Sequence, residues 1–127
     1  MDSRAKGKPN HFLKSLSYAL EGIKTAVKAE RNMRIHLVCS VIIIGCSYYF
    51  SITRLEWLFI LVAIGGMLAL ELINTAIERL VDLVIDEYHP LAKQAKDAAA
   101  GAVLLYAILS VIVGIIIFYP YIQQMWK

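Results

Sequence analysis

Residues 57–69 read WLFILVAIGGMLA, a run without a single charge. Inside a hydrocarbon layer every backbone N–H and C=O must find its partner within the protein, so such a run leaves an α-helix as the economical solution. Two further blocks, 35–50 and 98–119, share this character. A bilayer core of ~30 Å takes about 20 helical residues. The block at 35–50 is short but workable with Tyr48 and Tyr49 at its interface. The block at 57–85 is long, and the block at 98–119 is expected to stop at Pro120, flanked by Tyr119, Tyr121 and Trp126 as interface anchors. With 59% hydrophobic residues and a mean hydropathy of +0.62, no segment remains for a separate soluble domain. The expectation is an all-α integral membrane protein with three transmembrane helices, forming one domain over residues 1–127.

The segment before these blocks is of another kind. Residues 1–10, MDSRAKGKPN, show no periodicity and read as a flexible tail. Over 11–30, Phe12, Leu16, Leu20, Ile23 and Val27 recur at helical steps, opposed by Lys14, Ser17, Glu21, Lys24 and Lys28. That pattern predicts an amphipathic helix lying on the membrane surface with its lysines toward anionic headgroups. Arg4, Lys6, Lys8, Lys14, Lys24, Lys28, Arg31 and Arg34 all precede the first block, whereas only Arg54 follows in the next loop. The asymmetry predicts a cytoplasmic N-terminus. The polar start lacks the apolar core of a signal peptide, so the whole chain is expected to be retained. Cys39 and Cys46 read as small hydrophobes of the first span.

Directly behind the charge-free run stands LELINTAIERLVD, residues 70–82, with carboxylates where lipid is expected. At about 100° per residue from Glu71, Asn74 falls near −60°, Thr75 near +40°, Glu78 near −20° and Asp82 near +20°. They form one stripe. Counting ~1.5 Å per residue from Trp57, Glu71 lies about 21 Å across the core and Glu78 about 31 Å, at its boundary. Polar glue between helices explains Asn74 and Thr75, at ~0.6 kcal/mol per contact, but not three carboxylates on one face. A second alternative is a proton or cation carrier, since intramembrane acids also mark ion pathways. Broken helices and repeated halves, which carriers favour, are missing from the pattern.

Oxygen-only ligands suit Mg²⁺ rather than Zn²⁺. KAERNMR brings Glu30 to the start of the first span, and HPLAKQAKDAAAGAV brings Lys96 and Asp97 to the start of the third. The small residues 98–101 allow close helix approach, which would draw Lys96 toward the stripe. Mg²⁺ ligands beside a lysine at the boundary of lipid and water are the minimum parts for a nucleotide polyphosphate. No Walker loop is present: AIGGMLALE has two glycines but no following Gly-Lys-Ser/Thr.

ELINTAIERLVDLVIDEYHPLAKQAKDAAAGAV, with AERNMR ahead of it, closely resembles the small membrane-embedded prokaryotic lipid kinases of the diacylglycerol kinase and undecaprenol kinase family. The resemblance runs from about Phe12 to Tyr119. It implies a bacterial plasma-membrane protein with a surface helix and three spans, a homotrimer with sites shared between subunits, and MgATP-dependent phosphorylation of a lipid hydroxyl, with no nucleic-acid partner. Carried over by position, it implies Glu71 as general base and Glu30 and Glu78 as the Mg²⁺ carboxylates, with Asn74 beside them. Lys96 is implied as the phosphate-binding lysine, with Asp97 next to it, and Tyr18, Glu87, Tyr88 and His89 as nucleotide contacts. His89, before Pro90, equally reads as a turn residue, and His36 as a snorkelling interface histidine. Asp82 completes the stripe with no chemistry of its own beyond orienting its neighbours. His11 stands where some diacylglycerol-specific relatives look to carry Arg. IGGMLALELINTAIE and DEYHPLAKQAKDAAAGAV look most like the Gram-positive branch, which implies undecaprenol as substrate, with diacylglycerol as the alternative.

Overall fold

The computed structural model describes residues 10–127, so the flexible tail expected over residues 1–10 falls, up to residue 9, outside the described residues. Four helices follow in order: α1 (His11–Ala29), α2 (Arg31–Tyr49), α3 (Arg54–Val84) and α4 (Pro90–Met125). α3 and α4 make the most extensive contact, α2 packs beside α3, and α1 touches α2 and α3.

Each junction has a local cause. Glu30 alone separates α1 from α2, with extended backbone at φ −103° and ψ 118°. Arg34 then reaches back, its Nη1 donating to the carbonyls of Val27 at 3.0 Å and Lys28 at 2.8 Å. This satisfies carbonyls that the end of α1 leaves free. Between α2 and α3 the chain turns through Ser51, at φ 50°. A capping box starts α3: Thr53 Oγ1 accepts from the Glu56 N–H at 3.2 Å, and Glu56 Oε2 accepts from the Thr53 N–H at 2.8 Å. The same Glu56 oxygen accepts from the Tyr121 hydroxyl at 2.6 Å, tying the start of α3 to the end of α4. α4 begins with Pro90 in its first turn, where a missing N–H costs nothing, and with His89 as N-cap, Nδ1 accepting from the Leu91 N–H at 3.1 Å.

Two expectations are corrected. The third expected span does not stop at Pro120: α4 passes through it to Met125. Proline removes a single hydrogen bond, to the carbonyl four residues back. The turn beyond it is held instead by the Tyr121–Glu56 bond and by Tyr121 packing on Phe50, with ring centroids 5.7 Å apart. The second correction is at the other end, where residues 86–97, between the expected spans 57–85 and 98–119, are helical from Pro90 onward; Lys93, Lys96 and Asp97 therefore sit on α4.

At the Trp57 end a small core gathers Ile52, Ile60, Ile117 and Phe118, with Phe50, Trp57 and Tyr121 against it. Midway, Gly66 lets α4 approach: a Cβ there would lie 2.0 Å from Tyr106 Oη. That hydroxyl donates to the Val62 carbonyl at 2.7 Å. Elsewhere the helices turn large apolar side chains outward, among them Leu61, Val62, Leu104, Leu105, Val111, Ile115 and Ile116. Such a continuous apolar exterior belongs in lipid. α3 and α4 are both long and apolar enough to cross a membrane. At ~1.5 Å per residue they measure about 46 and 54 Å, well beyond a ~30 Å hydrocarbon core. On α1, Phe12, Leu16, Leu20 and Ile23 are all exposed and only Ala26 is buried.

Candidate active site

The stripe predicted on α3 is where the buried polar groups of this helix gather. Glu71, Asn74 and Thr75 are buried, with Glu71 only 2% exposed. Asn74 Nδ2 donates to Glu78 Oε1 at 3.2 Å, one helical turn on. From α2, His36 Nε2 comes to 3.9 Å from Glu71 Oε2. From the α1–α2 junction, Glu30 Oε1 comes to 3.6 Å from Arg79 Nη2 on α3. One turn further along, Asp82 Oδ1 accepts from Lys96 Nζ at 2.6 Å, which brings α4 to the same face. The site thus joins three helices and the junction between the first two.

Among the described residues, two buried oxygens in this cluster have no hydrogen-bond partner, Glu71 Oε2 and Asn74 Oδ1. Leaving a buried acceptor unsatisfied costs about 1–3 kcal/mol, which sets these two oxygens apart from the other polar groups of α3.

Other expected site residues stand apart. Asp97 pairs with Lys93 on its own helix, four residues away. Tyr18, Glu87 and Tyr88 are exposed, and His89 caps α4. Among the described residues none of these four bonds to the stripe. Asp82, given only an orienting role from sequence, is the partner of Lys96. Sequence reasoning missed Arg79 altogether. It also read His36 as an interface anchor, because only the packing of α2 on α3 reveals that this ring faces Glu71.

Among the described residues no three His, Cys, Asp or Glu side chains converge as a metal cage. The donors present are carboxylate and amide oxygens: Glu78, the unpartnered Asn74 Oδ1, and Glu30. That set fits Mg²⁺, which keeps waters and substrate phosphates in its coordination sphere and takes only one or two protein carboxylates.

Residues 17–118 match the family described as prokaryotic diacylglycerol kinase. The chain belongs to that family. Among its prokaryotic diacylglycerol kinase relatives, an undecaprenol kinase of Bacillus subtilis is 46% identical over 94% of this chain and 98% of its own length. A diacylglycerol kinase of Synechocystis is 43% identical over 84% of this chain, which spans 61% of that longer protein. One from Haemophilus influenzae is 31% identical over 86% of this chain and 93% of its own. The polar stripe, the Glu30 junction and Lys96 all fall inside the segment matched to the family.

Proposed function

We propose that this lipid kinase transfers the γ-phosphoryl group of MgATP to the hydroxyl of undecaprenol, within the membrane boundary, with Glu71 as general base. The observation that carries this reading is the buried Glu71 carboxylate on the same face as Asn74 and Glu78, which are linked at 3.2 Å. The reaction needs two environments a short distance apart, one for a lipid alcohol and one for a polyphosphate. Glu71 and Glu78 are seven residues apart on one helix, about 10 Å along its axis.

Glu71 accepts the proton of the lipid hydroxyl as its oxygen attacks the γ-phosphorus. The bond from that phosphorus to the bridging oxygen of ADP breaks, and ADP leaves with the electron pair. Lipid phosphate and ADP are the products, and the proton on Glu71 returns to water. Glu30 and Glu78 would hold Mg²⁺, which when bound would offset charge on the phosphates. Lys96 exchanges its Asp82 partner for phosphate oxygens, and Asp97, Tyr18, Glu87, Tyr88 and His89 line the nucleotide. Holding the reactants in line beside a base is most of what phosphoryl transfer asks of a protein.

The substrate assignment follows the extent of likeness to the Bacillus subtilis undecaprenol kinase. Diacylglycerol is the second reading, favoured by the likeness to the Synechocystis and Haemophilus influenzae diacylglycerol kinases. In this reading α2 is a third membrane span, α1 lies on the cytoplasmic surface, residues 1–127 act as one domain, and three copies assemble with shared sites. The exposed apolar stripe of α1 supports its surface position.

The test is purified protein in mixed micelles with labelled ATP and a panel of undecaprenol, diacylglycerol and other lipid alcohols. Incorporation into undecaprenol above all others is expected. No labelled lipid from any alcohol refutes the assignment as a lipid kinase, and label confined to diacylglycerol replaces the first substrate by the second. Glu71→Gln is expected to abolish turnover while leaving nucleotide binding largely intact; a near-normal rate in that variant refutes the base.

A further inference from the structure

We propose that His36 is the positioning residue of the Glu71 carboxylate, holding one oxygen so that the other faces the lipid hydroxyl; the inference rests on Glu71 being the base. Glu71 is on α3 and His36 on α2, and their packing brings Nε2 to 3.9 Å from Oε2. That oxygen is buried and without a hydrogen-bond partner. The acids on the same face, Glu30 and Glu78, donate no hydrogen bond when ionised. The His36 ring, 3.9 Å away, carries an N–H able to donate one. The cationic groups nearby are turned elsewhere, Arg79 toward Glu30 and Lys96 toward Asp82.

A shift of about 1 Å in the ring brings Nε2 to hydrogen-bond distance of Oε2. The His36 side chain is 24% exposed, against 3% for Glu71, so the ring has room to move where the carboxylate has little. A carboxylate held at one oxygen presents the other in a fixed direction. Misplacement of a reacting group by about 1 Å costs as much as 100-fold in rate, which sets the scale of the effect. His36 is placed to act through Glu71, since the substrate oxygen approaches the opposite carboxylate oxygen.

The experiment measures steady-state kinetics on the full-length protein in mixed micelles, with undecaprenol and MgATP varied separately, for the parent, Glu71→Gln, His36→Leu and His36→Gln. His36→Leu is expected to lower kcat by about 10- to 100-fold with the KM for MgATP unchanged within twofold. In His36→Gln the amide nitrogen restores a donor at similar reach, and kcat is expected to recover to within about threefold of the parent. A purely structural role predicts equal losses in Leu and Gln variants, or a loss that follows thermal stability. Should His36→Leu fail to fold, His36→Asn, polar but shorter in reach, takes its place with the same expected loss. Turnover of His36→Leu equal to the parent overturns the inference. So does a raised KM for MgATP at unchanged kcat, or a Gln variant as impaired as Leu. If Glu71→Gln is inactive in the same experiment, only the role of His36 has failed; if Glu71→Gln is active, the base itself has.

Discussion

Substituting Gly66 by alanine tests the packing that joins α3 to α4. The added Cβ would lie 2.0 Å from Tyr106 Oη, 2.3 Å from its Cζ and 2.8 Å from its Cε1. Ordinary van der Waals contact begins near 3.4 Å, so the phenol must retreat by about 1.4 Å. Tyr106 is a side chain and is able to swing aside, but only by giving up the 2.7 Å bond to the Val62 carbonyl. Overpacking costs about 1–3 kcal/mol, and an interhelical hydrogen bond in a membrane is worth about 0.6 kcal/mol on average. Together these predict a loss of about 2–3 kcal/mol for Gly66→Ala. Tyr106→Phe, which loses the bond alone, should cost about 0.6 kcal/mol. The assay is reversible unfolding in micelles titrated with a denaturing detergent, followed by far-ultraviolet circular dichroism. A double-mutant cycle isolates the clash: in a Tyr106→Ala background the methyl group meets no ring, and Gly66→Ala should then cost less than about 1 kcal/mol. If Gly66→Ala matches the parent within about 0.5 kcal/mol, or costs the same in both backgrounds, the close approach of Tyr106 to Gly66 is wrong.

Glu78→Gln and Glu30→Gln should each move the Mg²⁺ concentration for half-maximal turnover upward by about 10-fold or more, checked by Mg²⁺ titration at saturating ATP. Thr53→Ala removes half of the capping box and should destabilise the protein by about 1 kcal/mol in the same detergent titration, without altering the Mg²⁺ requirement. If sites are shared between subunits, mixing inactive Glu30→Ala and Lys96→Ala proteins under subunit exchange should restore measurable turnover, read with labelled ATP. Exchange demonstrated by cross-linking without any recovery places the whole site on one chain.

Periodicity made the stripe of Glu71, Asn74, Glu78 and Asp82 legible because a single helix carries it, and helical phase is a local property. The same locality explains what sequence reasoning could not see. His36 and Arg79 enter the cluster through the packing of α2 and the Glu30 junction on α3, a relation between segments that no spacing encodes. Pro120 was expected to end a helix because its intrinsic preference is strong. What holds the helix beyond it is Glu56, through the hydroxyl of Tyr121, sixty-five residues later in the chain. The extension of α4 back to Pro90 was hidden because Lys93, Lys96 and Asp97 interrupt the apolar pattern, although a helix leaving lipid for water has no further need of that pattern.

The two ends of the α3–α4 pair are held by different means. At the Trp57 end, aromatic packing, the capping box and the Glu56–Tyr121 bond are complete within the chain. At the Lys96 end the chain leaves the buried Asn74 Oδ1 without a partner among the described residues and ties the helices through the exposed Lys96–Asp82 pair. A ligand that fills that acceptor therefore adds its binding energy to folding where the protein lacks its own. By mass action that is about 2.7 kcal/mol at a ligand concentration 100 times its Kd. The kinase would be built as a scaffold finished at one end, with its substrates completing the other.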